Sequence, residues 1–99
     1  MALEDTIRLE AIVDFFKGLQ DNICLGLEAL DGSSQKFEED LWQREAGGGG
    51  RTRIYRKGAV LEKGGVNFSH VHGLMPEKIS QKLGFASGIQ FHATGVSIV

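Results

Sequence analysis

Four successive glycines, Gly47 to Gly50, are bracketed by Arg44, Arg51, Arg53 and Arg56. Glycine carries no Cβ, so such a run takes positive φ angles and lets a ligand or a neighbouring strand approach the backbone closely. Bare amides beside guanidinium groups suit carboxylates or phosphates. A flexible linker would mix its glycines with serine, and strand-like, arginine-rich sequence would not flank it. Two readings follow: a structured, anion-facing loop, or a plain long hairpin turn. Nucleotide loops are excluded, because the glycines are contiguous and lead into Arg51-Thr52-Arg53 instead of a Gly-Lys-Ser/Thr helix start. His70 and His72 lie two apart and share a face if they sit on a strand. With His92 they make a three-histidine site geometrically possible. The simpler reading is hydrogen bonding at a sheet surface, since neither cysteine nor carboxylate stands at ligand spacing. No Ser/His/Asp or Cys/His arrangement is legible, so covalent catalysis has no support.

These residues need elements to hold them. Leu9, Ile12, Val13, Phe16, Leu19, Ile23, Leu27 and Leu30 recur at steps of three and four, which predicts one long amphipathic helix. Asp5 or Thr6 would cap its start, Gly32 would stop it, and Glu10, Asp14, Lys17, Asp21 and Glu28 would form its outer face. Residues 37–44 read as a strand whose Glu38-Glu39-Asp40 run suggests a wet face or an edge. Residues 51–56 alternate as a half-buried strand does, Lys57-Gly58 turns, and 66–71 form another strand. Pro76 opens a short helix ending near Gly84, and 89–99 form a final strand. A helix followed by strands on short turns indicates an α+β fold with an antiparallel sheet.

The 99 residues allow one domain at most, and the formal net charge of −2 argues against nucleic acid as a partner. Acidic residues dominate up to Glu45, whereas 51–63 are mostly cationic. Cys24 is alone, so there is neither a disulfide framework nor a cysteine metal cluster; its place in the helical pattern fits a small, partly buried hydrophobe. No apolar stretch reaches membrane-spanning length. The acidic start Met1-Ala2-Leu3-Glu4-Asp5 lacks a signal or transit pattern, which makes a reducing cytoplasm the expected address.

Longer blocks narrow the reading. Trp42-Gln43-Arg44-Glu45-Ala46 and the glycine run continue through Arg51-Thr52-Arg53, and after a short spacer comes Gly65-Val66-Asn67-Phe68-Ser69-His70-Val71-His72-Gly73. With Gly95-Val96-Ser97-Ile98-Val99 these blocks closely resemble the oxygen-dependent coproporphyrinogen-III oxidase family. The resemblance covers nearly the whole chain in register, more loosely through the first helix and Phe37-Glu38-Glu39-Asp40. It implies a large antiparallel sheet sandwiched between helices, in a homodimer. It also implies an enzyme several-fold longer, so residues 1–99 are expected to be the N-terminal part of a single domain, ending within a strand and inactive alone.

The activity implied is oxidative decarboxylation of two propionates of coproporphyrinogen III to vinyl groups. Dioxygen is the oxidant, protoporphyrinogen IX the product, and haem biosynthesis the setting; no metal or organic cofactor is required. Ser97 aligns with a substrate-binding serine, while the proton-donating histidine belongs to a segment after Val99. Ile54, Tyr55, Arg56, Lys57, Gly58, Ala59, Val60, Leu61, Glu62 and Lys63 align with a dimer-interface segment, although a hairpin within one protomer is the plainer alternative. Leu61 replaces a usual phenylalanine, and Gly64-Gly65 a usual Ala-Gly; neither is a substrate position. From the residues alone, the rival function is a non-enzymatic module that binds an anion or a partner through the arginine-flanked glycines.

Overall fold

The computed structural model describes residues 2–99. Helix α1 (Leu3–Asp31) precedes strands β1 (Glu38–Gln43), β2 (Gly48–Arg56) and β3 (Lys63–Leu74), and helix α2 (Glu77–Leu83) connects β3 to β4 (Gln90–Ile98). The strands form one antiparallel sheet in the order β1-β2-β3-β4: short connections join β1 to β2 and β2 to β3, and the α2 segment returns the chain to place β4 beside β3. The fold is α+β, and β1 with its acidic run is an edge. Among the described residues no helix is long and apolar enough to cross a membrane.

α1 starts earlier than its expected caps. Ala2 is the N-cap, and Asp5 and Thr6 lie within the helix, where Thr6 donates its amide and hydroxyl to the Ala2 carbonyl. Glu4 and Asp5 in the first turn favour this start through the helix dipole. The stop falls where expected: Gly32 adopts φ 71° and donates its N–H to the Glu28 carbonyl, a left-handed cap suited to glycine.

The helix is rotated from the orientation that its apolar spacing predicts. Ile12 and Leu30 face outward, whereas Gln20, Cys24 and Asp31 are buried against the sheet. Asp21 and Glu28, expected outside, turn toward the strands: Asp21 pairs with Arg51 and Arg53, and Glu28 accepts the Phe37 amide. The half-buried strand arginines Arg51 and Arg53 need carboxylates more than α1 needs to hide two leucine-sized side chains. Gln20 sits at the centre of the seam, donating Nε2 to the carbonyls of Arg51 at 2.6 Å and Val66 at 2.9 Å. Its Oε1 accepts from Arg51 Nε at 2.7 Å. Cys24, Tyr55, Val66 and Phe68 form the small apolar core beneath this seam. Burial pushes the Cys24 thiol up, with Arg53 opposing, so it packs as an inert small side chain.

The glycine run is mostly strand. Gly48, Gly49 and Gly50 belong to β2, paired with Gln43 and Trp42 on one side and with Ser69, His70 and Val71 on the other. The turn itself is Arg44 to Gly47, closed by the Arg44 amide on the Gly48 carbonyl at 2.8 Å. Gly47 and Gly48 have φ of 131° and 84°, which explains glycine at both. At Gly50 a Cβ would overlap the Trp42 ring and the Phe68 carbonyl.

Candidate functional site

The two sheet faces differ in chemistry. On the α1 side, Arg51 donates to Asp21, Gln20 and the Lys17 carbonyl, and Arg53 pairs with Asp21 at 2.7 Å and Glu39 at 3.0 Å. These two guanidiniums are therefore largely occupied by carboxylates of the same chain. Arg44 donates to the His72 carbonyl at 2.9 Å and lies 5.8 Å from the Phe91 ring centroid, fastening the turn to β3 and β4. Arg56 is exposed at the far end of β2. Gly48 to Gly50 and Arg51 are strand residues, and they also line a concave hollow on the α1 side.

His70, His72 and His92 also occupy the α1 side. Their ring centroids lie 5.4–5.8 Å apart, and His70 Nε2 stands 3.4 Å from His92 Nδ1. Among the described residues no three side chains of His, Cys, Asp or Glu are disposed to hold a metal ion. That hollow of about 410 Å³ lies beside them, lined in part by Lys17, Gly48, Gly49, Gly50, Arg51 and His70. Burial, then the charges of His92, His72 and Lys17, push the His70 pKa below its usual 6.5. A depressed histidine pKa favours the neutral ring in the folded state. Its contribution to stability is complete above pH 6.5 and is lost as pH falls through the folded value. Thermal melts should therefore show Tm declining between pH 7 and pH 5, with a shallower decline in His70→Gln. An equal slope in the variant would dismiss this assignment.

Ser97 lies on the opposite face. It pairs across β3 and β4 with Asn67, which pairs with Thr52, which pairs with Asp40. Directly opposed residues of antiparallel strands share a face. Phe68 and Arg51, the sequence neighbours of Asn67 and Thr52, point to α1, so this row points away. The row is linked: Trp42 Nε1 donates to Thr52 Oγ1 at 3.1 Å, and Thr52 Oγ1 lies 2.6 Å from Asn67 Oδ1. One register step away the Trp42 ring covers Gly50, and Ser69 and Gly95 beside it carry little side chain. On the other side Ile54, Gly64, Gly65 and Val99 line an apolar hollow of about 340 Å³, with Lys63 at its rim. The open face therefore combines a small-residue floor, a polar row and an apolar depression.

Trp42, Thr52 and Asn67 were not singled out from the sequence, although cross-strand register places them beside Ser97. Their signal is parity: each is an even number of steps along its strand from a residue facing away from α1. The aligned interface segment is divided by the fold. Tyr55 is fully buried within the protomer and hydrogen-bonded to Asp31 at 2.7 Å, so it offers no surface to a partner. Val60 is 72% exposed at the tip of the turn, and Ile54 and Leu61 are half-buried. Tyr55 leaves the surface because the Asp31 carboxylate needs a donor there. Compared with known protein families, the chain matches coproporphyrinogen III oxidase over residues 11–99, all but its first ten positions.

Proposed function

The chain belongs to the coproporphyrinogen III oxidase family, and from that premise we propose that it contributes one wall of a site for oxygen-dependent decarboxylation of coproporphyrinogen III. The observation that carries this reading is the family match extending to Val99. The setting of Ser97 supports it. A reduced tetrapyrrole with propionate arms needs apolar walls, a surface free of protruding side chains and donors for carboxylates. Those are the hollow beside Ile54, the small residues Ser69 and Gly95, and the hydroxyl row.

In the proposed reaction each propionate loses carbon dioxide and a hydride equivalent to leave a vinyl group, and dioxygen takes up the electrons. The product after two such steps is protoporphyrinogen IX. Ser97 binds and orients; its hydroxyl has no neighbouring base to activate it, so it donates to a propionate or accepts from a pyrrole N–H. Homodimer formation through the 54–63 segment, without Tyr55, and a cytoplasmic setting without a required metal or organic cofactor belong to the same proposal.

The test is Ser97→Ala in the active enzyme. Loss of one hydrogen bond to a charged group is worth about 1.5–3 kcal/mol, so KM should rise about ten- to a hundredfold with Tm unchanged. A parallel fall in kcat would show that the same bond orients the reacting propionate. Unaltered kinetics in Ser97→Ala would remove the serine from the site. Vinyl formation undiminished under strict anaerobiosis would contradict the oxygen-dependent chemistry.

A further inference from the structure

We infer that Asn67 is a second carboxylate-binding residue of the Ser97 face, with its carboxamide held in one orientation by Trp42 and Thr52. The inference rests on the reading that this face receives a propionate-bearing tetrapyrrole.

The direction of each hydrogen bond follows from valence. An indole Nε1–H donates and cannot accept, so Thr52 Oγ1 is the acceptor in the 3.1 Å contact with Trp42. The threonine hydroxyl has one hydrogen, and the atom 2.6 Å from it is Asn67 Oδ1, which only accepts. The hydrogen therefore lies between Thr52 and Asn67. This occupies the carbonyl lobe of the carboxamide on the β2 side; a flipped amide would make Thr52 Oγ1 the acceptor of both Trp42 and Asn67 and send the hydroxyl hydrogen elsewhere. The lobe left for a ligand is Nδ2, with two N–H groups.

Asn67 is the direct cross-strand partner of Ser97. The β4 side of the row thus presents two amide hydrogens and a hydroxyl, a set that selects an acceptor-only group such as a carboxylate. Asp40 occupies the other end of the row, opposite Thr52. Its charge disfavours an anion at β1 and leaves the β4 side as the place for the propionate. Beside the row, Gly95 is open, with nothing within 4 Å of where its Cβ would stand. The ring that carries the propionate can therefore lie flat against the strand.

The experiment uses the purified enzyme and coproporphyrinogen III, kept anaerobic so that binding is read without turnover. Trp42 is the sole tryptophan, and its emission reports on the row directly. Asn67→Asp puts a carboxylate where the amide was and should weaken binding about thirtyfold or more. Asn67→Leu, which removes the donors without adding charge, should weaken it about tenfold. Thr52→Val frees the carboxamide to flip and should weaken binding about threefold or more, whereas Thr52→Ser restores the wild-type value. The tetramethyl ester of the same tetrapyrrole keeps acceptor carbonyls but lacks the charge, so the substitutions, Asn67→Asp most of all, should weaken its binding much less than that of the acid; a merely structural effect would move both ligands alike.

Wild-type affinity for the acid in Asn67→Asp or Thr52→Val, together with weakened binding in Ser97→Ala, overturns the role of Asn67 and leaves the substrate reading standing. Absence of wild-type binding overturns both. Should Asn67→Asp fail to fold, the Thr52→Val and Thr52→Ser pair decides.

Discussion

Asp31→Asn should lower the melting temperature by about 10 °C or more while leaving the sheet register intact. The substitution is nearly isosteric, so the loss is electrostatic. One carboxylate oxygen accepts the Val60 and Leu61 amides, each at 2.7 Å, and the other accepts the Tyr55 hydroxyl at 2.7 Å and the Ala59 amide at 3.0 Å. An asparagine would turn an NH2 group against two of these donors and strand them. The Ser33 hydroxyl and the Leu61 amide, helped by Tyr55 and the Val60 amide, hold the Asp31 carboxyl well below the usual carboxylate range although burial opposes them. A depressed carboxylate pKa stabilises the fold above the unfolded value of 3.8 and ceases to do so as pH falls through the folded value. Melts of the wild type should thus lose stability as pH drops below about 4, and Asp31→Asn should lose less over that interval. Amide exchange at residues 59–61 should accelerate in the variant; unchanged protection there would disprove the anchor.

Gly50→Val is expected to have the largest effect on the open face. The added side chain would enter the space of the Trp42 ring and the Phe68 carbonyl, between two strands paired to β2 on either side. Overpacking of this kind costs about 1–3 kcal/mol when side chains can yield, and here one obstacle is backbone. Trp42 should be displaced, shifting its emission to the red, and the Trp42–Thr52–Asn67 links should break. Gly95→Ala supplies the contrast at the same register step: its Cβ meets open space, so the sheet should tolerate it with little change in Tm. Equal melts for the two variants would show that the tight approach at Gly50 is not limiting.

Element order and class were legible because alternation, turn residues and the caps at Gly32 and Gly84 agree locally with the fold. The facing of α1 was not. Its apolar spacing points one way, but Gln20, Asp21, Glu28 and Asp31 find partners on strands 24–46 residues distant or in the loops between them, and those partners decide which side is inward. The glycine run misled for a related reason. Contiguous glycines suggest a bare loop, whereas Gly49 and Gly50 serve close strand packing against Gln43 and Trp42. Ser97 was reached through resemblance, but Asn67 and Thr52 needed the register. One strand's sequence cannot state which residue of the next strand lies opposite.

The two bonds from Gln20 to the Arg51 and Val66 carbonyls also constrain the order of events in time. Its acceptors lie on β2 and β3, so the docking place for the middle of α1 exists only after those strands have paired. During synthesis α1 leaves the ribosome first and has to wait, as helix or coil, until Val66 has emerged. A slipped pairing of β2 with β3 would separate the two carbonyls and leave Gln20 unable to bind both. Seating of the helix therefore proofreads the hairpin: its polar centre makes docking depend on β2–β3 pairing and select the correct register.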